Sequence, residues 1–297
     1  MAVQAQEISN RVTAQVIEAI ESGQAGEWTR PWATLGGLPK NATTDKAYTG
    51  GNVLVLWMIG EAAGYRSQLW ATYRQWEGIG ATVRKGEKGT HLVKWNVSRC
   101  KGTPRDHKCG KCGKMFPVSF AVFNADQVDG YEIPAPLEGL SDAERLAHAE
   151  EWFSALGADV RQGGDRAFYA PVGDYIGIPT FGQFAEPAHY YSTLAHEHCH
   201  WTGHKDRLAR ELAPRFASEA YAAEELVAEL GAAFVCAILG IDNAPRPDHA
   251  LYLSHWLTIL RGDSKALFFA AGQASKAVEY LSERVGASEA ERLALSA

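Results

Sequence analysis

The sequence predicts an α+β protein in two parts, on three observations. At 297 residues, 46% hydrophobic and 22% charged, the chain suffices for two domains of ordinary size. Charge divides along it: residues 1–130 carry 16 Lys and Arg against 11 Asp and Glu, whereas 131–297 carry 13 against 24. Strand-like runs mix with helical periodicity in the first part, and longer helical patterns follow in the second. The proline-containing connector Gly130-Tyr131-Glu132-Ile133-Pro134-Ala135-Pro136 marks the break, so domains are expected at 1–132 and 133–297.

Taken in order, Ser9 to Glu21 reads as a helix with Val12, Val16, Ile17 and Ile20 at helical spacing, ended by Gly23. After the Gly50-Gly51 turn a second helix runs from Asn52 through Trp57 toward Ala63, and Trp70 to Trp76 enters a third. Thr82 to Thr90 reads as a basic, glycine-punctuated hairpin into a strand His91 to Val97, with Phe116 to Asn124 as its partner. Beyond the connector, Ser141-Asp142-Ala143-Glu144 opens a helix. Phe168 to Pro171 and Tyr175 to Pro179 are short extended segments, and Trp201-Thr202-Gly203 stops a helix at a glycine.

A membrane protein is not expected, because no run of ~18 apolar residues occurs and Met1 to Asn10 lacks an apolar core. Five cysteines, an odd number, suit a reducing cytoplasm.

Chemistry enters at His196-Glu197-His198-Cys199-His200, an H-E-x-x-H pattern. On a helix, residues four apart share a face, so His196 and His200 can grip one ion. Glu197 is then the candidate general base for a polarised water, the pattern of a zinc-dependent peptidase. Zn2+, or another divalent ion such as Mn2+, is the expected cofactor. A third ligand is needed. Tyr221 to Phe234 reads as a long helix in which Glu225 and Glu229 share a face, one as ligand and the other supporting a ligand histidine; Glu225 is the favoured ligand, and the reverse stays open. The rival is Asp206, in H-E-x-x-H-x-x-G-x-x-D, but that scheme demands a downstream Met-turn and the methionines are Met1, Met58 and Met115. His198 and His204 are expected on or beyond the outer face of the helix, and Cys199 and Cys236 to pack.

Six of nine tryptophans, Trp28, Trp32, Trp57, Trp70, Trp76 and Trp95, fall in the first hundred residues among Arg and Lys. Cations that neutralise phosphates and rings that stack on unpaired bases for ~1–3 kcal/mol each suit single-stranded nucleic acid. Most tryptophans of a small domain are core, so composition alone does not decide this. The candidate DNA-binding residues are Trp32, Tyr48, Tyr73, Arg74, Arg84, Lys85 and Lys88.

Several runs together carry a resemblance: Trp28-Thr29-Arg30-Pro31-Trp32, Tyr48-Thr49-Gly50-Gly51-Asn52, Thr72-Tyr73-Arg74-Gln75-Trp76 and Val83-Arg84-Lys85-Gly86-Glu87-Lys88-Gly89. They resemble the N-terminal domain of ArdC-type antirestriction proteins. Asp174-Tyr175-Ile176-Gly177-Ile178-Pro179, the H-E-x-x-H run with Trp201-Thr202-Gly203-His204, Arg207-Leu208 and Glu224 to Glu229 resemble that family's zincin-like C-terminal domain. The resemblance implies a gluzincin-type metallopeptidase domain behind a single-stranded-DNA-binding domain. It also implies a cytoplasmic, plasmid-encoded protein that protects conjugating DNA from host restriction. A protein substrate, such as a host restriction component, would be the peptidase's partner. In the alternative reading the zincin domain is a metal-binding scaffold.

The chain departs from the simplest family form by an insertion between the two strands of the first domain. There Cys109-Gly110-Lys111-Cys112, with Cys100 and His107, could complete a structural zinc site; a flexible basic loop with free thiols is the alternative.

Overall fold

The computed structural model describes residues 2–22, 37–97, 115–134, 142–210, 219–241 and 249–295. The first part contains α1 (Ala2–Ser22), β1 (Lys40–Asn41), α2 (Gly51–Ala63), β2 (Leu69–Ala71), α3 (Tyr73–Gly78), β3 (Thr82–Val83), β4 (Thr90–Val97), β5 (Met115–Asn124) and β6 (Val128–Asp129). The second contains α4 (Asp142–Ala155), β7 (Asp159–Gln162), β8 (Phe168–Ala170), β9 (Tyr175–Ile178), α5 (Pro187–Thr202), α6 (Glu219–Leu239), α7 (His249–Gly262) and α8 (Ala266–Leu295). Among the described residues no helix is long and apolar enough to cross a membrane.

A four-stranded sheet in the order β1-β2-β5-β4 organises the first part, with β1 parallel to β2 and the other pairs antiparallel. The β4/β5 ladder runs from Thr90 opposite Val122 to Val97 opposite Met115, close to the expected strands. Trp70 and Ala71 belong to β2 rather than to a helix. A capping box between Thr72 and Gln75 starts α3 only afterwards, satisfying backbone donors at both positions.

The expected hairpin of Thr82 to Thr90 does not form: β3 pairs with β6 instead. Gln127 explains this, since its amide donates to Glu87 Oε2 at 2.9 Å and to the Lys88 carbonyl at 3.1 Å, and its backbone carbonyl accepts from Arg84 N–H. The Arg84 guanidinium adds bonds to the Asp126 and Val128 carbonyls. Together they tie the basic loop to residues 124–129.

Among the described residues β4 is the edge strand of this sheet, and Asn52 of α2 sits on that edge. Its side-chain amide donates to the Val93 carbonyl (2.9 Å) and accepts from the Val93 N–H (3.0 Å).

The second part is a three-stranded sheet in the order β7-β9-β8 beside mutually packed α5, α6 and α8. One apolar cluster spans both parts, from Val12, Leu54 and Trp57 to Leu230, Phe234 and Leu281. Close approaches seal the junction: the Gly50 N–H donates to Ser275 Oγ at 2.8 Å, and a Cβ on Gly51 would lie 2.0 Å from the Phe268 ring. Trp57 meets Phe234 edge-on at 5.6 Å. The Gly50-Gly51-Asn52 turn is thus a joint between the parts as well as a helix start.

Candidate functional site

Helix α5 starts at Pro187, whose fixed φ and missing N–H suit the first helical position. It is buried from Tyr190 through Cys199, so packing on every side, and not amphipathicity, holds it in place. Gly203 closes it in a right-handed conformation (φ −74°), without the left-handed cap that glycine often supplies. Helix α6 packs against α5 with Gly231 facing Cys199, where a Cβ would be 2.4 Å from Cys199 Sγ.

That approach brings three side chains to one point. His196 Nε2 and His200 Nε2 are 3.0 Å apart, and the two oxygens of Glu225 lie 3.4 Å from His196 Nε2 and 3.4 Å from His200 Nε2. A tetrahedral ion with donor bonds of about 2.0–2.1 Å sets its donors roughly 3.3 Å apart, so this triangle has the size of a metal site. The two nitrogens and one carboxylate are a borderline donor set that zinc and manganese both accept.

Each imidazole is also held from behind. Glu229 Oε1 lies 3.0 Å from His196 Nδ1, and Glu224 Oε1 lies 3.3 Å from His200 Nδ1. Arg210 holds Glu224 in turn, with Nη2 to Oε1 at 2.8 Å and Nε to Oε2 at 3.1 Å. It also donates to Thr202 Oγ1 (2.8 Å) and to the Cys199 carbonyl (2.6 Å). Burial opposes charge on His200, but Glu225 and Glu224 outweigh it and push the imidazole up to about 10. Burial works against ionised Glu225 too, yet the two imidazoles hold its carboxyl far below the usual range.

A second clasp fixes the strand beside the helix. Arg207 donates to Asp174 and to Tyr169 Oη (3.0 Å) and stacks over the Trp201 ring at 4.0 Å, tying the β8–β9 turn to the end of α5. The Arg207 bond, with a further one from Tyr169, pulls the Asp174 carboxyl down to about 2.

Sequence reasoning misses the supporting roles of Glu224 and Arg210. Glu224 is off the face shared by Glu225 and Glu229, and Arg210 lies outside any helix, so neither periodicity nor motif spacing marks them. Asp206 is exposed and paired with His204 and Lys205, apart from the donor triangle. His198 departs from its expected outer position: it is wholly buried against Phe153, with Nδ1 2.8 Å from the Leu194 carbonyl, and burial lowers it to about 4. Cys199 and Cys236 are buried, and burial pushes the Cys199 thiol up.

Of the candidate DNA-binding residues, Tyr73, Arg74, Lys85 and Lys88 are exposed. Tyr48 is half-buried: its hydroxyl reaches the Trp70 carbonyl (3.3 Å), its ring packs against the core, and burial raises its pKa. Arg84 is engaged with Glu87 as well as with the two carbonyls of its clamp. Trp32, Cys100, His107, Cys109 and Cys112 lie outside the described residues.

Residues 6–124 match the family model of the N-terminal domain of anti-restriction factor ArdC, and residues 147–273 match that of a zincin-like metallopeptidase. The metal-free crystal structure of the antirestriction protein ArdC from plasmid R388 is 37% identical, superposes with a TM-score of 0.75, and is aligned over 94% of this chain and 97% of its own. The chain belongs to the ArdC antirestriction family. The Mn(II)-bound form of the same R388 protein aligns at 36% identity and a TM-score of 0.73, over 93% of this chain and 97% of its own. Among curated proteins, y4eC of Sinorhizobium fredii is 41% identical over 93% of this chain and 91% of its own length. DNA primase TraC of Escherichia coli is 39% identical over 91% of this chain, which spans only 26% of the primase. The ArdC-family chain is therefore an α+β protein with a zincin-like second part.

Proposed function

We propose that this protein protects incoming plasmid DNA from host restriction during conjugation. Its first part binds single-stranded DNA, and its second holds a divalent ion, zinc or manganese, at His196, His200 and Glu225 in a peptidase-type site. The observation that carries the reading is the donor triangle of 3.0–3.4 Å with Glu197 next to His196 on the same helix.

When bound, the ion supplies Lewis acidity toward a carbonyl and a water. Glu224 accepts the Nδ1 proton of His200, which turns that Nε2 lone pair toward the donor point, and the Glu229 carboxylate stands 3.0 Å from Nδ1 of His196. Burial opposes charge on Glu224, but His200 and Arg210 together hold its carboxyl below the usual range, and Arg210 keeps it aimed. The Glu197 carboxylate takes a proton from the attacking water and returns it to the leaving nitrogen. The Mn(II)-bound state of the R388 relative supports a divalent ion in this fold.

A specific observation favours a second reading, in which the zincin part is a metal-holding scaffold: Glu197 and His196 are each only 2% exposed. Conjugation into a restricting host separates the two. Under the peptidase reading Glu197→Gln keeps the ion and DNA binding yet abolishes protection, because a general base contributes ~100-fold or more. Full protection by Glu197→Gln would withdraw the enzyme reading. Loss of protection on removing Lys85 and Lys88 charge tests the DNA arm.

A further inference from the structure

The β4/β5 pair packs one row of side chains on the core at its Thr90–Val122 end, while Lys94 and Phe116 of that row are exposed further along, and the opposite row carries half-buried residues between exposed His91 and Trp95. Leu92 and Val122, on the inner row, are fully buried toward α1 and α2. Side chains alternate along a strand, so the outer row includes His91 and Trp95 on β4 and Ser119 and Phe123 on β5, read from the register His91 opposite Ala121 and Trp95 opposite Pro117. Trp95 is 59% exposed, whereas Trp57, Trp70 and Trp76 are at most 1% exposed. At the other end Tyr73 is 52% exposed and rests edge-on against Phe123 at 6.4 Å.

Building on the single-stranded-DNA reading above, we propose that the strand runs along this outer face, stacking bases on Tyr73 at one end and Trp95 at the other. Phe123 and Pro117, the neighbours of the two rings, are six residues apart on β5, a track of roughly 20 Å. Both rings are large and presented by backbone that hydrogen bonding already fixes, so ordering them on binding costs little entropy. His91 stands between them, its Nδ1 3.4 Å from Ser119 Oγ. Charge complements the track: Lys85 and Lys88 precede β4 and Arg74 follows Tyr73 on α3, all three exposed. Stacking on ring faces reads no base edges, so the track is tolerant of sequence but demands unpaired bases.

The test is fluorescence polarisation of the full-length protein with a labelled oligothymidylate at two salt concentrations, and with a duplex of equal length. Trp95→Ala and Tyr73→Ala should each weaken oligothymidylate binding at least about fivefold, leave the salt dependence unchanged, and be rescued by Trp95→Phe or Tyr73→Phe. The duplex should bind more weakly, because pairing hides the base faces. If the unaltered protein binds oligothymidylate but both alanine variants bind equally well, the track is wrong and the DNA reading stands. If the unaltered protein does not bind it, both fall.

Discussion

The donor triangle and the β4/β5 face are built on opposite plans within one chain. At the triangle, His196, Glu225 and Glu229 are 2–5% exposed, and each imidazole faces carboxylates from both of its nitrogens. On the sheet face, Trp95 and Tyr73 are more than half exposed, and the lysines of the nearby loop are solvated. An ion tolerates little error in donor position, so its site must be set before it arrives, by groups whose own positions are locked. A polyanionic strand is flexible and tolerates many registers, so its contacts can stay mobile and separately weak. Substitutions should therefore fall into two classes, steep and local at the triangle, shallow and additive on the face.

The largest effect is expected from Glu225→Ala, which removes a donor: divalent-ion affinity by chelator competition should fall more than ~100-fold, the upper end of what even a supporting residue contributes. Oligothymidylate binding should not change. Asp206→Ala should retain the ion, and if it alone loses it, the assignment of Glu225 is wrong. Next come the supports. Glu224→Gln and Arg210→Ala should each weaken ion binding by about 10- to 100-fold while the protein stays folded by circular dichroism. Unchanged affinity would mean that the Arg210–Glu224 pair only packs.

A pH effect follows from His198. Its folded pKa, about 4, is below the ordinary 6.5, so the unfolded chain binds the proton first as pH falls. The stability it confers is complete above pH 6.5 and is lost between 6.5 and about 4. The melting temperature of the metal-free protein should decline across that window less steeply in His198→Phe than in the unaltered protein; equal slopes would show that another group governs the decline. The smallest effect is on the face. Removing both Lys85 and Lys88 should reduce the slope of log affinity against log salt by about 1.4, near 0.7 for each phosphate no longer neutralised. A drop in affinity with an unchanged slope would place those lysines off the strand's path.

What could be read in advance follows the range of the forces involved. His196 with His200, and Glu225 with Glu229, are legible because a single helix sets their four-residue spacing. Glu224 and Arg210 acquire meaning only when α6 closes on α5 over Gly231, a contact between residues far apart in sequence. The same limit explains the missed β3–β6 pairing: Gln127, roughly forty residues beyond the loop it secures, decides it. Aromatic counting finds a region rich in rings, but burial, which separates Tyr48 and Trp70 from Tyr73 and Trp95, depends on the packed sheet.

The Asn52 amide on β4 has a consequence for how copies of this chain treat one another. An uncovered edge strand offers a neighbouring molecule a ready ladder of donors and acceptors, and an exposed tryptophan two residues along would add an adhesive surface to it. By occupying both backbone groups of Val93, Asn52 interrupts that ladder at mid-strand. One carboxamide thus mimics a strand partner at Val93 and denies that place to another copy.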